Sequence, residues 1–256
     1  IQSMQELVGE GDEGAQLDAQ LLQSLQTARV DANARDLRHL LIQLGQWDEH
    51  QPASMTGTPW NTGFSETLLL DASQLVDNSE GMLPGDEHRH DLTAQACVTI
   101  DDAETSDIDD AIALERRQDG SERLWIHIAD PGRLIPEGSP LDLEARRRGS
   151  SLYLSRGNLP MFPLELSTGP FSLRTGRRNA AWSTWVDLDQ HGDISDFGIL
   201  RSWVTPRYRL TYEDADELID FAPPEEADLS DLHQLLERRR RWRTDQGALQ
   251  MDLPEG

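Results

Sequence analysis

The chain has 256 residues, with 47 acidic against 23 basic side chains, a net charge of −24 and a mean hydropathy of −0.60. That acidity argues at first against a nucleic-acid partner, and no apolar run approaches the ~20 residues a membrane helix needs. The single Cys97 excludes an internal disulfide and a cysteine-built zinc site.

Residues 1 to about 14, with Gly9, Gly11 and Gly14 among acids, are expected to be frayed. No basic segment followed by an apolar one opens the chain, so a cytoplasmic protein is expected. Leu17, Leu21, Leu22, Leu25 and Ala28 then fall on one helical face. Leu37, Leu40, Leu41 and Leu44 predict a second helix, capped by Asp31 or Asn33 and ended by Gly45. Together they predict a helical hairpin packed on the rest of the protein. Residues 48–64 read as a loop, and Pro84-Gly85-Asp86 as a turn. His50, His88 and His90 have no metal-ligand spacing. The predicted boundary lies near residue 90, giving a helical extension over 1–90 and a second region over 91–256.

From Leu92 the pattern shifts to short strands. Cys97–Ile100, Ala111–Leu114 and Leu124–Ala129 are predicted strands, with a turn at Asp119-Gly120. His127 is expected to pack within its strand. A turn at 136–139 precedes a helix over Leu141–Arg148, and Leu152–Leu154 is a short strand. Ala180–Leu188 and Ile194–Val204 predict a hairpin. Tyr212–Ile219 predicts a helix capped by Thr211, with Asp214 three residues on. Pro223-Pro224 breaks the chain before a helix over Leu229–Trp242 with an arginine-rich end. The elements describe an α+β protein.

Two features carry chemistry. All 23 basic residues are arginine, and ten of them against five acids fall between Arg146 and Arg209. Arginine favours bidentate phosphate contacts. The other feature is the run Asp101-Asp102-Ala103-Glu104-Thr105-Ser106-Asp107-Ile108-Asp109-Asp110, set between two apolar strands. Crowded carboxylates repel one another and lose solvation, and a divalent cation relieves both costs. An EF-hand loop counted from Asp101 fails, because Ala103, Thr105, Ser106 and Ile112 fall where ligands or the glycine belong. A solvated acidic loop and a Mg²⁺ site for phosphoryl chemistry remain.

Val98-Thr99-Ile100-Asp101 followed by Asp107-Ile108-Asp109-Asp110-Ala111 resembles the signature of the ribonuclease II / ribonuclease R family, the RNB catalytic domain. Further blocks agree in order: His127-Ile128-Ala129-Asp130-Pro131, residues 136–142, Tyr153-Leu154, residues 159–163, Glu165-Leu166-Ser167, Ser172-Leu173-Arg174, residues 209–213 and Gly247-Ala248-Leu249. The resemblance implies the first part of a mixed-sheet catalytic domain with flanking helices. It also implies Mg²⁺-dependent hydrolysis of single-stranded RNA from the 3′ end, releasing nucleoside 5′-monophosphates. Carried over by position, Asp101, Asp107, Asp109 and Asp110 are the metal-site carboxylates, with Asp109 the most directly catalytic. Asp102 and Glu104 are set aside. Tyr153 matches an aromatic that stacks on a base, and Tyr212 one beside the terminal nucleotide. Arg174 is a candidate to face phosphate, as are Arg177 and Arg178.

The family domain continues past the block resembling Gly247-Ala248-Leu249. Its later half supplies further helices, another acid and an arginine on the scissile phosphate. The expectation is therefore the N-terminal part of a longer exoribonuclease, with the remaining C-terminal half as its partner. The alternative is a non-catalytic chain of the same fold that binds RNA or protein.

Overall fold

The computed structural model describes residues 1–10, 17–50, 63–154 and 157–249. Its helices in chain order are α1 (Gln2–Glu10), α2 (Ala19–Ala28), α3 (Ala34–Gln43), α4 (Glu66–Asp77), α5 (Pro140–Arg148), α6 (Leu164–Ser167), α7 (Tyr212–Phe221) and α8 (Ala227–Asp245). Its strands are β1 (His90–Asp91), β2 (Val98–Ile100), β3 (Asp110–Arg116), β4 (Glu122–Ala129), β5 (Leu152–Leu154), β6 (Gly157–Leu159), β7 (Asn179–Leu188), β8 (Ile194–Val204) and β9 (Tyr208–Leu210). No described helix is long and apolar enough to cross a membrane. The expected α+β class holds.

The chain forms two compact units, residues 1–65 with 144–161, and residues 66–143 with 162–256. In the first, α1 corrects the expectation of a frayed N-terminus. Met4, Leu7 and Val8 recur at helical spacing and are buried with Leu25, Leu37, Leu41 and Trp47. The glycines that suggested fraying begin at the very end of α1. Asp18 caps α2 by accepting from the Leu21 amide, and Asn33 caps α3 by accepting from the Asp36 amide. Gly45 turns the chain out of α3 at φ 65°. The loop expected over 48–64 falls largely outside the described residues. The same unit carries the antiparallel hairpin β5–β6.

The second unit is built on a mixed seven-stranded sheet in the order β1-β8-β7-β4-β3-β2-β9. The β1–β8 and β2–β9 pairs are parallel and the others antiparallel. Side chains alternate with period two, as a two-sided sheet requires. Ala111, Ala113, Trp125, Ala129 and Ala181 enter one core with Cys97, Ile108, Leu173 and Val204. Leu114, Leu124 and Val186 face the other way and meet Leu232 and Leu235 of α8. Arg116 fixes the start of α8 through Asp228 and Asp231. Helix α4 has no counterpart in the sequence reading; Ala72 on it is buried with Leu141, Leu166 and Phe171.

His127 is fully buried, as expected for a packing residue. Its Nδ1 lies 2.7 Å from the Ser183 hydroxyl, which lies 2.5 Å from that of Ser202. Burial pushes the imidazole down to about 4.

Candidate active site

The strand directions gather the acids at one end of the sheet. Strand β2 runs into Asp101, β3 starts at Asp110, and β4 ends beside it, with Asp110 opposite Ile128. The Ala129 amide donates to the Asp109 carbonyl at 2.8 Å. On the other flank, β9 runs parallel to β2 with Ile100 opposite Leu210, so Tyr212 opens α7 at the same end.

The loop between β2 and β3 is pinned from below. Ile108 is buried in the sheet core between Asp107 and Asp109. Its amide donates to the Ser172 hydroxyl at 2.9 Å, and its carbonyl accepts from the Leu173 amide at 2.6 Å. Arg209 donates to the carbonyls of Asp102 and Ala103, each at 3.3 Å, and to that of Thr105. The Asp102 carboxylate accepts from the Glu104 amide at 2.9 Å and closes a local turn. Asp102 and Glu104 are both exposed.

The acids influence one another. Burial raises the Asp101 carboxyl above its ordinary range, Asp110 adds to the rise, and Arg209 opposes it. Asp109 is raised by burial and by Asp107, and Asp110 by burial and by Asp109. Asp109 and Asp110 present surface to solvent, but the surrounding protein still strips enough water to disfavour their charges. Asp101 Oδ2 is buried with no hydrogen-bond partner among the described residues. An unpartnered buried carboxylate oxygen is costly, and a bound proton or hard cation relieves that cost.

Among the described residues, no three His, Cys, Asp or Glu side chains are arranged as a closed ligand set. The donors fit Mg²⁺ in kind rather than as a finished cage. Mg²⁺ is commonly bound through one or two carboxylates, with water and substrate phosphates completing its shell.

The structure thus brings Asp101, Asp107, Asp109 and Asp110 into electrostatic reach of one another. Tyr212 is half exposed at the first turn of α7. Arg174 follows Leu173, the residue that anchors Ile108, and is held by the Asn179 side chain, which accepts from its amide at 3.1 Å and donates to its carbonyl at 3.0 Å. Tyr153 sits exposed on β5, in the other compact unit. Sequence reasoning passed over Ser172 and Arg209. Both lie in the blocks it quoted, but their work is to hold backbone, which no residue pattern announces.

A family model described as the RNB domain matches residues 89–256. An uncharacterised ribonuclease of Synechocystis is 42% identical over 236 residues, covering 92% of this chain and 35% of that protein. The chloroplastic/mitochondrial ribonuclease II of Arabidopsis thaliana is 37% identical over 211 residues, covering 82% of this chain and 26% of that one. The chain therefore spans about a third or less of the curated relatives it matches. Among solved structures, RNase R of Mycoplasma genitalium in complex with ribose-methylated single-stranded RNA aligns with TM-score 0.66 at 22% identity, over 75% of this chain and 31% of that one. Yeast Ssd1, a pseudonuclease, aligns with TM-score 0.53 at 23% identity, over 59% of this chain and 19% of that one. At these identities the solved structures speak for the fold alone.

Proposed function

This chain belongs to the RNB-domain family, and from that premise we propose that it carries the metal-binding part of a Mg²⁺-dependent 3′-to-5′ exoribonuclease. The substrate is single-stranded RNA and the products are nucleoside 5′-monophosphates. The observation that carries this reading is the pinned acid loop at the sheet end. Four carboxylates, Asp101, Asp107, Asp109 and Asp110, are held in mutual repulsion there, and Asp101 Oδ2 is buried without a partner. A cation bound among them would offset that repulsion.

When bound, Mg²⁺ supplies charge for an in-line displacement at phosphorus. The chain's own residues do the positioning. Ile108, wedged into the core, splits Asp107 from Asp109, and Ser172 and Leu173 fix that wedge. Arg209 holds the loop backbone and offsets part of the charge near Asp101. Tyr212 and Tyr153 offer exposed rings for base stacking, which disregards sequence and suits a degradative enzyme. Arg174 offers a cation to the backbone. The remaining C-terminal half of such an enzyme is the proposed partner, and the cytoplasm the proposed compartment, although the Arabidopsis relative carries an organellar name.

The second reading, a non-catalytic RNA- or protein-binding chain, draws support from the absence of a closed ligand set among the described residues. One assay separates the two. The longest form of the protein that carries this chain is incubated with 3′-labelled single-stranded RNA and Mg²⁺, beside its Asp109→Asn variant. Labelled mononucleotide released by the wild type and not by the variant supports the enzyme. Intact RNA with the wild type refutes it.

A further inference from the structure

Beside the acid loop, at the same end of the sheet, a cavity of about 480 Å³ opens where β4, β7 and β8 terminate. Arg133, Arg174, Arg177, Arg178, Asn179 and Trp203 are among its lining residues. In a chain of net charge −24, four arginines around one hollow are a local inversion of sign.

Two of the four are already spent, wholly or in part. Arg133 binds Asp86 at 2.8 Å and donates to the carbonyls of Ser79 and Gly81, each at 2.7 Å. Arg177 has Glu80 at 3.5 Å, and the Glu80 side chain is largely exposed. Asp130 lines the cavity too, but its charge is taken up by Arg89. The other two keep donors to spare. Among the described residues, Arg174 and Arg178 have no carboxylate within ion-pair distance, and Arg174 Nε is buried without an acceptor. The Arg178 guanidinium carbon sits over the Trp203 ring, 4.1 Å from its centre. A cation–π contact uses no N–H donor as a hydrogen bond to a carboxylate would, so the Arg178 donors remain for another partner.

We propose that this cavity is a phosphate subsite, taking a phosphomonoester or phosphodiester group between Arg174 and Arg178 with Arg177 at its mouth. A phosphate presents acceptor oxygens in several directions, which suits arginines converging from different segments; a carboxylate presents two in one plane. The volume admits a nucleotide-sized ligand. The Trp203 ring is already covered by guanidinium groups, with Arg133 at 4.8 Å and Arg89 at 5.3 Å from its centre as well. With three guanidinium groups around that ring, the lining favours a phosphate over a stacked base, and such recognition ignores sequence. The proposal deepens the role given to Arg174 in the nuclease reading and does not depend on the metal site.

Calorimetric titration of the 256-residue chain in EDTA tests it, with inorganic phosphate, adenosine 5′-monophosphate and a short oligoadenylate as separate probes. Wild type binds at least one of them, and the Arg174→Gln/Arg178→Gln double variant binds it at least about tenfold more weakly. Arg177→Gln, at an exposed position whose loss leaves the fold intact, weakens it about threefold and decides the matter should the double variant unfold. Preference for the monophosphates identifies a free phosphate or released nucleotide as the occupant; preference for the oligonucleotide identifies the RNA backbone. The titration is run without metal and reads binding rather than turnover, so a failed nuclease assay and a failed titration are separate results. Absence of binding to wild type by all three probes, or equal binding by wild type and variants, overturns the proposal.

Discussion

The amide of Asp101 donates to the carbonyl of Leu210 at 3.1 Å. That bond carries the β2–β9 pairing one residue past β2 and fixes the first acid of the loop against the strand leading into α7. Two residues beyond Leu210, Tyr212 begins the helix. An acid proposed for the metal and an aromatic proposed for the nucleotide are thus tied to one parallel strand pair.

The cap of that helix is the first point to test. Thr211 accepts from the Asp214 amide at 3.0 Å, and Asp214 accepts from the Thr211 amide at 3.1 Å. Thr211→Ala is expected to lose about 1 kcal/mol of stability in denaturant unfolding. Because Tyr212 is the first helical residue, RNA affinity should fall as well, with the far-ultraviolet spectrum nearly unchanged.

Arg89 is almost wholly buried between Asp86 and Asp130 and stacks on Trp203. Its removal leaves the buried Asp130 without its cation and leaves Asp86 to Arg133 alone. Arg89→Ala is expected to cost about 3–5 kcal/mol, read as a lowered midpoint in urea.

Acid unfolding should proceed in two stages. His127 has its folded pKa depressed to about 4 by burial, from 6.5. Its neutral form stabilises the fold fully above about pH 6.5, and that contribution is lost as pH falls towards 4, on the order of 3 kcal/mol in all. Burial alone would raise Asp86, but hydrogen bonds from Arg133, the Leu83 amide and Arg89 outweigh it and hold the carboxyl at about 2. Its contribution is present above 3.8 and is lost as pH falls through 2. Stability measured against pH should lose its upper slope in His127→Gln and keep the lower one.

The acid loop itself should be a net cost to the metal-free fold. Carboxyls raised above their ordinary range disfavour the charged state that neutral pH imposes. Asp101→Asn, measured in EDTA, is therefore expected to melt higher than wild type, by about 2–4 °C for each kcal/mol relieved. A lower melting temperature would mean that Asp101 serves the fold rather than a ligand.

Much of this was legible from residue order alone. Apolar runs broken by turn residues located β3, β4, β7 and β8; the first three of these strands pack into cores on both faces of the sheet. The Thr211–Asp214 spacing foretold the cap of α7. The failed EF-hand count and the ordered blocks pointed to the acid loop before its geometry was known. Where reading failed, the cause was non-local. Helix α1 was masked by the glycines that follow it, and its burial depends on Leu37 and Leu41, some thirty residues on. The arginine cavity joins segments far apart in sequence, and Trp203 carries no sign of its guanidinium neighbours until β8 lies beside β7.

The central claim is that the sheet-end acids hold a divalent cation. Electron paramagnetic resonance of Mn²⁺, which shares the oxygen-ligand preference of Mg²⁺, reads it directly when titrated with the 256-residue chain. Wild type is predicted to remove free Mn²⁺ signal saturably, and the Asp101→Asn/Asp109→Asn double variant to remove at least about tenfold less at the same concentration. Equal uptake by the two proteins would contradict the account.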